Sequence, residues 1–262
     1  MCRWIAYVGE PVFVEDFVCV PCQSLIAQSM RSREAHSEMN ADGFGLGWYG
    51  ERSTPGVFRD IRPAWSDENL KSLAHQIRAP LYFAHVRAST GTATTRANCH
   101  PFSHGRHMFM HNGQIGGFDR IKRRIEGLIP DDLYIHRSGA TDSEALFLAL
   151  MGRGFGGGIV AAVAALLNEV VALMRQAGIA EPLRFTAALT DGRDVHAFRW
   201  ASDDRAPSLY WREDGGDLVI VSEPLDDARG QWREVPKGCA VVARHGRPVE
   251  MACLNAAMQA AA

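Results

Sequence analysis

Apolar positions change their period several times along the chain, and each change marks an element. Residues 4–8 (Trp-Ile-Ala-Tyr-Val) form an unbroken apolar run that predicts a first strand, ended by Gly9-Glu10-Pro11. Val12 to Phe17 predicts a short helical turn, and Ser24 to Ser29 a loop or edge segment. Between Asn40 and Tyr49, Phe44, Leu46 and Trp48 alternate with Gly43, Gly45 and Gly47. A period of two predicts a strand, and the glycines leave one of its faces bare enough for another element to come close. The same glycines lack the spacing and the following helix of a dinucleotide fingerprint. Ser66 or Asp67 can cap a helix reaching about Ile77, which Pro80 is expected to stop. Leu81 to Arg87 then reads as a buried strand, Ala88 to Asn98 as a polar loop, and Arg106 to His111 as a strand running into Asn112-Gly113.

Helical periodicity follows over about 118–128, over 145–151 behind Thr141-Asp142-Ser143-Glu144, and from the far side of the glycine cluster 152–158 to about Gln176. The final third predicts a β-meander: strands near 183–189, 195–201, 209–212, 218–222, 240–244 and 248–252, with Asp-Gly and His-Gly turn signals between them. Apart from a weak alanine-rich tail from Ala256, nothing divides residues 1–262, so one domain is expected. Many strands around a block of two or three helices fit an α+β arrangement or sheets sandwiched between helices, and periodicity does not choose between them.

Composition removes some classes of function. With a net charge of −2 and no long basic run, the chain lacks the footprint of a nucleic-acid or anionic-membrane binder. Arg120, Lys122, Arg123 and Arg124 read as the solvated face of a short helix. The longest apolar stretch, Gly158 to Met174, is interrupted by Asn168 and Glu169 and is short for a bilayer, so a buried helix in a cytoplasmic protein is expected. Cys19-Val-Pro-Cys22 has CxxC spacing, but there is no second pair to complete a zinc site, and Pro21 suits a redox turn poorly. The set His100, His104, His107 and His111 has the i, i+4 spacing of helix-borne metal ligands; Pro101 and the alternating Met108-Phe109-Met110 make it loop and strand instead.

Four places carry polar groups that a packed core does not call for. The chain opens Met1-Cys2-Arg3, and removing Met1 would leave an N-terminal cysteine, joining a thiol to an α-amine whose ordinary pKa of roughly 7.7–8 suits it to carry a proton. In His85-Val-Arg87-Ala-Ser-Thr90 an arginine closes an apolar strand, as a surface arginine, as a structural ion pair or as a fork for a carboxylate. Asn112-Gly113 is either a tight turn or a pair of oxyanion donors. At Thr141-Asp142-Ser143-Glu144 either Asp142 or Thr141 can cap a helix, and the Asp142 carboxylate can receive a substrate ammonium; both can hold at once.

Met1-Cys2, Asn40-Ala-Asp-Gly-Phe-Gly, His85-Val-Arg87-Ala-Ser-Thr90, Pro101-Phe102, His111-Asn112-Gly113 and Thr141-Asp142-Ser143 together resemble the class-II glutamine amidotransferases, which are N-terminal-nucleophile hydrolases. Val221-Ser-Glu-Pro-Leu225, Trp232 and Val235-Pro236 extend the likeness to small stand-alone members over nearly the whole chain. The resemblance implies a four-layer αββα sandwich and no cofactor or metal. It implies Cys2 as nucleophile, Asn112 and Gly113 as oxyanion donors, Arg87 with Thr90 on the substrate α-carboxylate, and Asp142 on the α-ammonium. The substrate would be a small molecule, glutamine or another γ-glutamyl amide, cleaved through a thioester to glutamate and ammonia or an amine. A separate synthase subunit is a candidate partner to receive the ammonia; if Met1 stayed, the same fold would be a silent γ-glutamyl-binding or regulatory module. One departure stands out. Larger members have Arg-Gly-Pro-Asp-Gly where this chain has Met39-Asn40-Ala41-Asp42-Gly43, a form resembling the ergothioneine-pathway branch and its different leaving group.

Overall fold

The first strand, β1 (Arg3–Phe13), is central to one of two antiparallel sheets in the computed structural model, which describes residues 2–34, 39–89, 91–228 and 230–260. On one side β1 pairs with β4 (Arg78–Val86), beyond which lie β2 (Phe44–Trp48) and β3 (Gly56–Asp60). On its other side are β10 (Asp217–Val221), β9 (Tyr210–Asp214) and β11 (Arg233–Glu234). The second sheet runs β13 (Glu250–Cys253), β12 (Cys239–Arg244), β8 (Asp194–Ala201), β7 (Leu183–Thr190), β6 (His107–Ile115) and β5 (Phe102–His104).

Strand alternation divides the core into three layers of contact. Trp4, Ala6 and Val8 on β1 and Met108 and Met110 on β6 face each other between the sheets. Ile5 and Tyr7 point the other way, under α1 (Glu15–Val18), α2 (Leu25–Met30) and α3 (Glu68–Gln76). Phe109 and Phe185 on the second sheet pack against α4 (Phe118–Glu126), α6 (Asp142–Arg153) and α7 (Ile159–Gln176). The short α5 (Asp131–Tyr134) lies against α6, and α8 (Leu254–Ala260) against α7. The result is the four-layer αββα sandwich, an α+β fold.

The glycine stripe of β2 does what its pattern predicts. A Cβ on Gly45 would collide with the His100 carbonyl oxygen, and one on Gly47 with the Met108 sulfur. Bare backbone there lets the segment before β5 lie directly on the first sheet.

Several expectations change. Ser24 to Ser29 is not a loop: the Ser24 hydroxyl accepts from Ala27 N at 3.2 Å and caps α2. Gly9-Glu10-Pro11 does not end β1, and Pro80 lies inside β4. The register passes from Val8↔Leu81 to Val12↔Ala79, so the three residues bulge opposite Pro80, which has no N–H to lose from a ladder. The meander divides. The β9–β10 hairpin leaves the second sheet to pair with β1, Ile5 facing Val221, because β1 has a free edge that an apolar strand can cover. The alanine-rich stretch from Ala256 to Ala260 lies in α8.

Helix α7 has 18 residues of mean hydropathy 1.6, long and apolar enough to cross a membrane by length and composition. The expectation of a buried helix holds for one face. Val163, Ala164, Leu166, Leu167, Val170 and Met174 enter the core, and Asn168 donates to the Met258 carbonyl at 2.6 Å.

Candidate active site

By alternation Cys2 shares the inward face of Trp4 and Ala6, and Asn112 shares that of Met108 and Met110. The two side chains therefore meet at the end of the space between the sheets, where the apolar filling stops. A cavity of about 370 Å³ opens there, lined by Cys2, Arg87, Asn112, Gly113 and Asp142 among others. Five of the six predicted site residues share this cavity; the sixth, Thr90, lies outside the described residues, as does Met1.

The Cys2 thiol is partly exposed to the cavity and donates to the Ala88 carbonyl at 3.6 Å. Protein atoms crowd it on its other sides. Burial pushes its proton affinity above the ordinary thiol range, and the nearby Arg87 and Arg3 guanidinium groups offset only part of this. At neutral pH such a thiol keeps its proton and needs a base before it can attack.

Asn112-Gly113 is not a turn: both residues sit in the β6–β7 ladder, opposite Thr186 and Phe185. Asn112 is buried, and neither its amide nitrogen nor its oxygen has a partner among the described residues. Ile115 N donates sideways to Asp142 Oδ2 at 2.8 Å, away from β7. Two residues earlier on the same strand, the Gly113 N–H points the same way, past the end of the short β5. A Cβ on Gly113 would collide with the Arg184 carbonyl oxygen, so the position admits only glycine. Two donors thus converge on the cavity.

Arg87 follows the last residue of β4 and is only 3% exposed. Its guanidinium donates to Thr92 Oγ1 at 2.7 Å, to Asp42 O and Ser89 Oγ at 3.3 Å, and to the Thr92 and Ala93 carbonyls at 3.4 Å. All of these acceptors are uncharged. Among the described residues Arg87 forms no ion pair, and the nearby Asp42 carboxylate, which lines the same cavity, is engaged by Ser89 N at 2.7 Å; a buried cation so placed is costly until an anion arrives. Thr92 and Ser89 are the hydroxyl partners that sequence reasoning missed; both fall in the small-residue loop, where spacing does not say which hydroxyl turns inward.

Thr141, not Asp142, caps α6, its hydroxyl accepting from Glu144 N at 3.2 Å. Asp142 accepts from Ser143 N and Ile115 N, both at 2.8 Å, and so ties α6 to β6. A carboxylate has about four lone-pair sites, which leaves room for a further donor from the cavity. Beside it, His111 Nε2 lies 3.1 Å from the Arg184 carbonyl oxygen, and Nδ1 lies 2.8 Å from Ser143 Oγ. A carbonyl only accepts, so Nε2 carries the proton and the Ser143 hydroxyl donates to Nδ1. Burial holds this imidazole below its ordinary pKa although Asp142 pulls it upward.

His85 and His100 were also overlooked as a pair. Their rings lie 4.2 Å apart between the sheets, and all four ring nitrogens lack partners among the described residues. Burial lowers His85 to about 3 and His100 well below its ordinary value, so both are neutral. The four histidines of the i, i+4 pattern do not converge on one point: His100 packs on His85 and lines the cavity with His111, which meets Ser143, while His104 packs with His136 and His107 with Phe155.

A buried oxyanion-type donor pair, a thiol and an uncountered guanidinium in one cavity can receive an amino-acid amide by both ends. Comparison with known proteins agrees. The profile of class-II glutamine amidotransferases matches residues 15–206, a segment that includes Arg87, Asn112, Gly113 and Asp142. The chain belongs to the class-II glutamine amidotransferases. It is 33% identical to the probable glutamine amidotransferase DUG3 of Saccharomyces cerevisiae, over 90% of this chain and 80% of that protein. It is 31% identical to the gamma-glutamyl-hercynylcysteine sulfoxide hydrolase of Mycolicibacterium smegmatis, over 90% of this chain and 92% of that one. A solved glutamine aminotransferase class-II domain protein from Silicibacter pomeroyi superposes with a TM-score of 0.75 at 32% identity, covering 96% of this chain and 99% of that one. The amidotransferase is therefore an enzyme that cleaves a γ-glutamyl amide bond, and its substrate is a small molecule.

Proposed function

We propose that Cys2, exposed by removal of Met1, is the nucleophile of a γ-glutamyl amide hydrolase whose substrate is read by Arg87 and Asp142. The observation that carries this reading is a single cavity lined at once by the Cys2 thiol, the unpartnered Asn112 amide and the uncountered Arg87 guanidinium. In the proposed cycle the α-amine of Cys2 takes the thiol proton and the sulfur attacks the γ-carbonyl carbon. Asn112 Nδ2 and Gly113 N–H hold the tetrahedral oxyanion. Collapse breaks the C–N bond, the amine leaves with the proton from the α-ammonium, and a γ-glutamyl thioester remains. Water attacks the thioester, the α-amine again taking a proton, and glutamate and the free thiol are released.

Arg87 pairs with the α-carboxylate, supported by Thr92 and Ser89, with Thr90 as a further helper. Asp142 takes the α-ammonium through its remaining lone pairs. Two fixed charges of opposite sign at one end orient only a γ-linked glutamyl group with its carbonyl on the thiol. Glutamine is the simplest substrate. The name of the mycolicibacterial relative supports a larger leaving group, in keeping with the Asn40-Ala-Asp42 form of the loop.

Residues 1–262 acting as one domain in the cytoplasm complete the proposal; the coverage of the Silicibacter structure supports the first part. Either the chain hydrolyses a γ-glutamyl metabolite alone, or a separate synthase subunit takes the ammonia. Glutamate release from glutamine and from a panel of γ-glutamyl amides, wild type against Cys2→Ala, tests the reading. Release confined to the wild type is expected; equal rates would overturn it.

A further inference from the structure

The end of a chain is poorly ordered unless something ties it down, yet a nucleophile must be held to within a fraction of an ångström. The sheet does little for Cys2. Ladder pairing of β1 with β4 begins at Arg3↔Val86, and pairing with β10 only at Ile5↔Val221, extended to Trp4 by Ser222. What reaches back to Cys2 is the next side chain. Arg3 NH1 donates to the Cys2 carbonyl at 3.0 Å, while Arg3 Nε donates to Glu223 Oε2 at 2.8 Å.

This ion pair is almost wholly removed from solvent, Arg3 being 0% and Glu223 2% exposed. It lies on the face of β1 that carries Ile5 and Tyr7, under the helices, opposite the face that carries Cys2. Neither residue lines the cavity. Glu223 is itself fixed from three directions: its carboxylate accepts from Arg33 N at 2.9 Å and Glu34 N at 3.1 Å besides Arg3, and its backbone carbonyl accepts from Gln28 of α2 at 3.2 Å. A buried ion pair often stabilises a protein no better than apolar side chains of the same volume, so stability alone gives little reason for one here. A guanidinium fork, by contrast, can satisfy a carboxylate and a backbone carbonyl at once.

We propose that the Arg3–Glu223 pair is a positioning device for the N-terminal nucleophile, gripping the Cys2 carbonyl from behind the sheet and anchoring it to α2 and the loop that follows. This rests on Cys2 being the nucleophile. Fixing that carbonyl fixes the backbone of residue 2, and with it the directions of both the thiol and the α-amine that serves it. Neither residue touches substrate.

The test compares wild type, Arg3→Lys, the double variant Arg3→Met/Glu223→Gln, and Cys2→Ala. Intact mass checks that Met1 is removed in each, calorimetry follows L-glutamate binding, and glutamate release gives kcat and KM. Arg3→Lys keeps the charge pair and the fold, but a point ammonium cannot span both acceptors. The double variant removes both buried charges together and so leaves none uncompensated.

In both, kcat is expected to fall roughly 10–100-fold, with L-glutamate affinity and KM within about threefold of wild type. Iodoacetamide should also alkylate Cys2 with an altered rate. The positioning role is overturned if Arg3→Lys, processed and folded, keeps kcat within twofold, or if kcat and L-glutamate affinity collapse together as in a general loss of structure. Activity surviving in Cys2→Ala would instead overturn the parent reading, so the two failures are separable.

Discussion

The space between the two sheets has a dry end and a polar end, built from the same strands. Along most of its length Ala6, Val8, Met108, Met110, Val241 and Ala243 interdigitate, and Trp4 Nε1 is left without a partner among the described residues. One or two residues further along the same faces come Cys2, His85 and Asn112, joined by His100, and Asn112 and the two histidines leave six side-chain nitrogen and oxygen atoms without partners. Register carries both ends equally well. Strand middles here are filled for stability, while strand ends hold unpartnered polar groups in a fixed place at a cost to the fold.

The largest test of that division is Arg87→Met. Relief of a buried cation without an ion pair opposes the loss of its hydrogen bonds to Asp42, Ser89, Thr92 and Ala93, so the melting temperature should stay near that of wild type, while the kcat/KM for glutamate release falls by the equivalent of about 3–5 kcal/mol. A drop in stability with near-normal kcat/KM would show that Arg87 serves the fold instead.

Next come two positions two residues apart on one face of β6. Asn112→Leu should cost on the order of 10²–10³-fold in kcat, the effect of losing an oxyanion donor, without destabilising the protein, because two unpartnered buried atoms disappear. Met110→Ala should do the reverse, losing about 2–5 kcal/mol of stability to a cavity while a folded sample turns over nearly normally. Denaturant melts and steady-state kinetics on both variants decide whether the boundary falls between them.

These two residues also show how far the chain could be read in advance. Met108-Phe109-Met110 announces a strand by alternation, and the resemblance nominated Asn112 and Gly113, but Asn-Gly is equally good turn chemistry. Only the partner strand β7 decides, and the pairing of Asn112 with Thr186 is not a local signal. The same holds for the β9–β10 hairpin, whose own sequence predicts strands but not the sheet they join. Gly45 and Gly47 were legible because close approach needs absent side chains whatever approaches. Ser24 to Ser29 was misread because its capping serine looks like any loop serine until an N–H is aimed at it. Thr92 was missed in a loop of several hydroxyl residues, and the bulge opposite Pro80 depends on two distant segments at once.

A smaller effect concerns acid stability. His85 is held at about 3, against an ordinary 6.5, chiefly by burial. Its unfolded form binds a proton that the folded form refuses between those values. Stability is therefore full above about pH 6.5 and declines as the pH falls toward about 3, by up to about 1.4 kcal/mol per pH unit from this residue. Urea midpoints measured from pH 7 to pH 4 should show a shallower decline in His85→Gln than in wild type. Parallel curves would mean that His85 is protonated in the fold, and the polar end would then hold a charge that the account does not give it.

The central claim is that the polar end acts through a thiol at the start of the processed chain. Acid-quenching the enzyme during turnover of a γ-glutamyl amide, followed by mass mapping of the N-terminal peptide, tests it directly. The account predicts a peptide that begins at Cys2 and carries one γ-glutamyl group on its sulfur. An active preparation that retains Met1, or an adduct on any other residue, would contradict it.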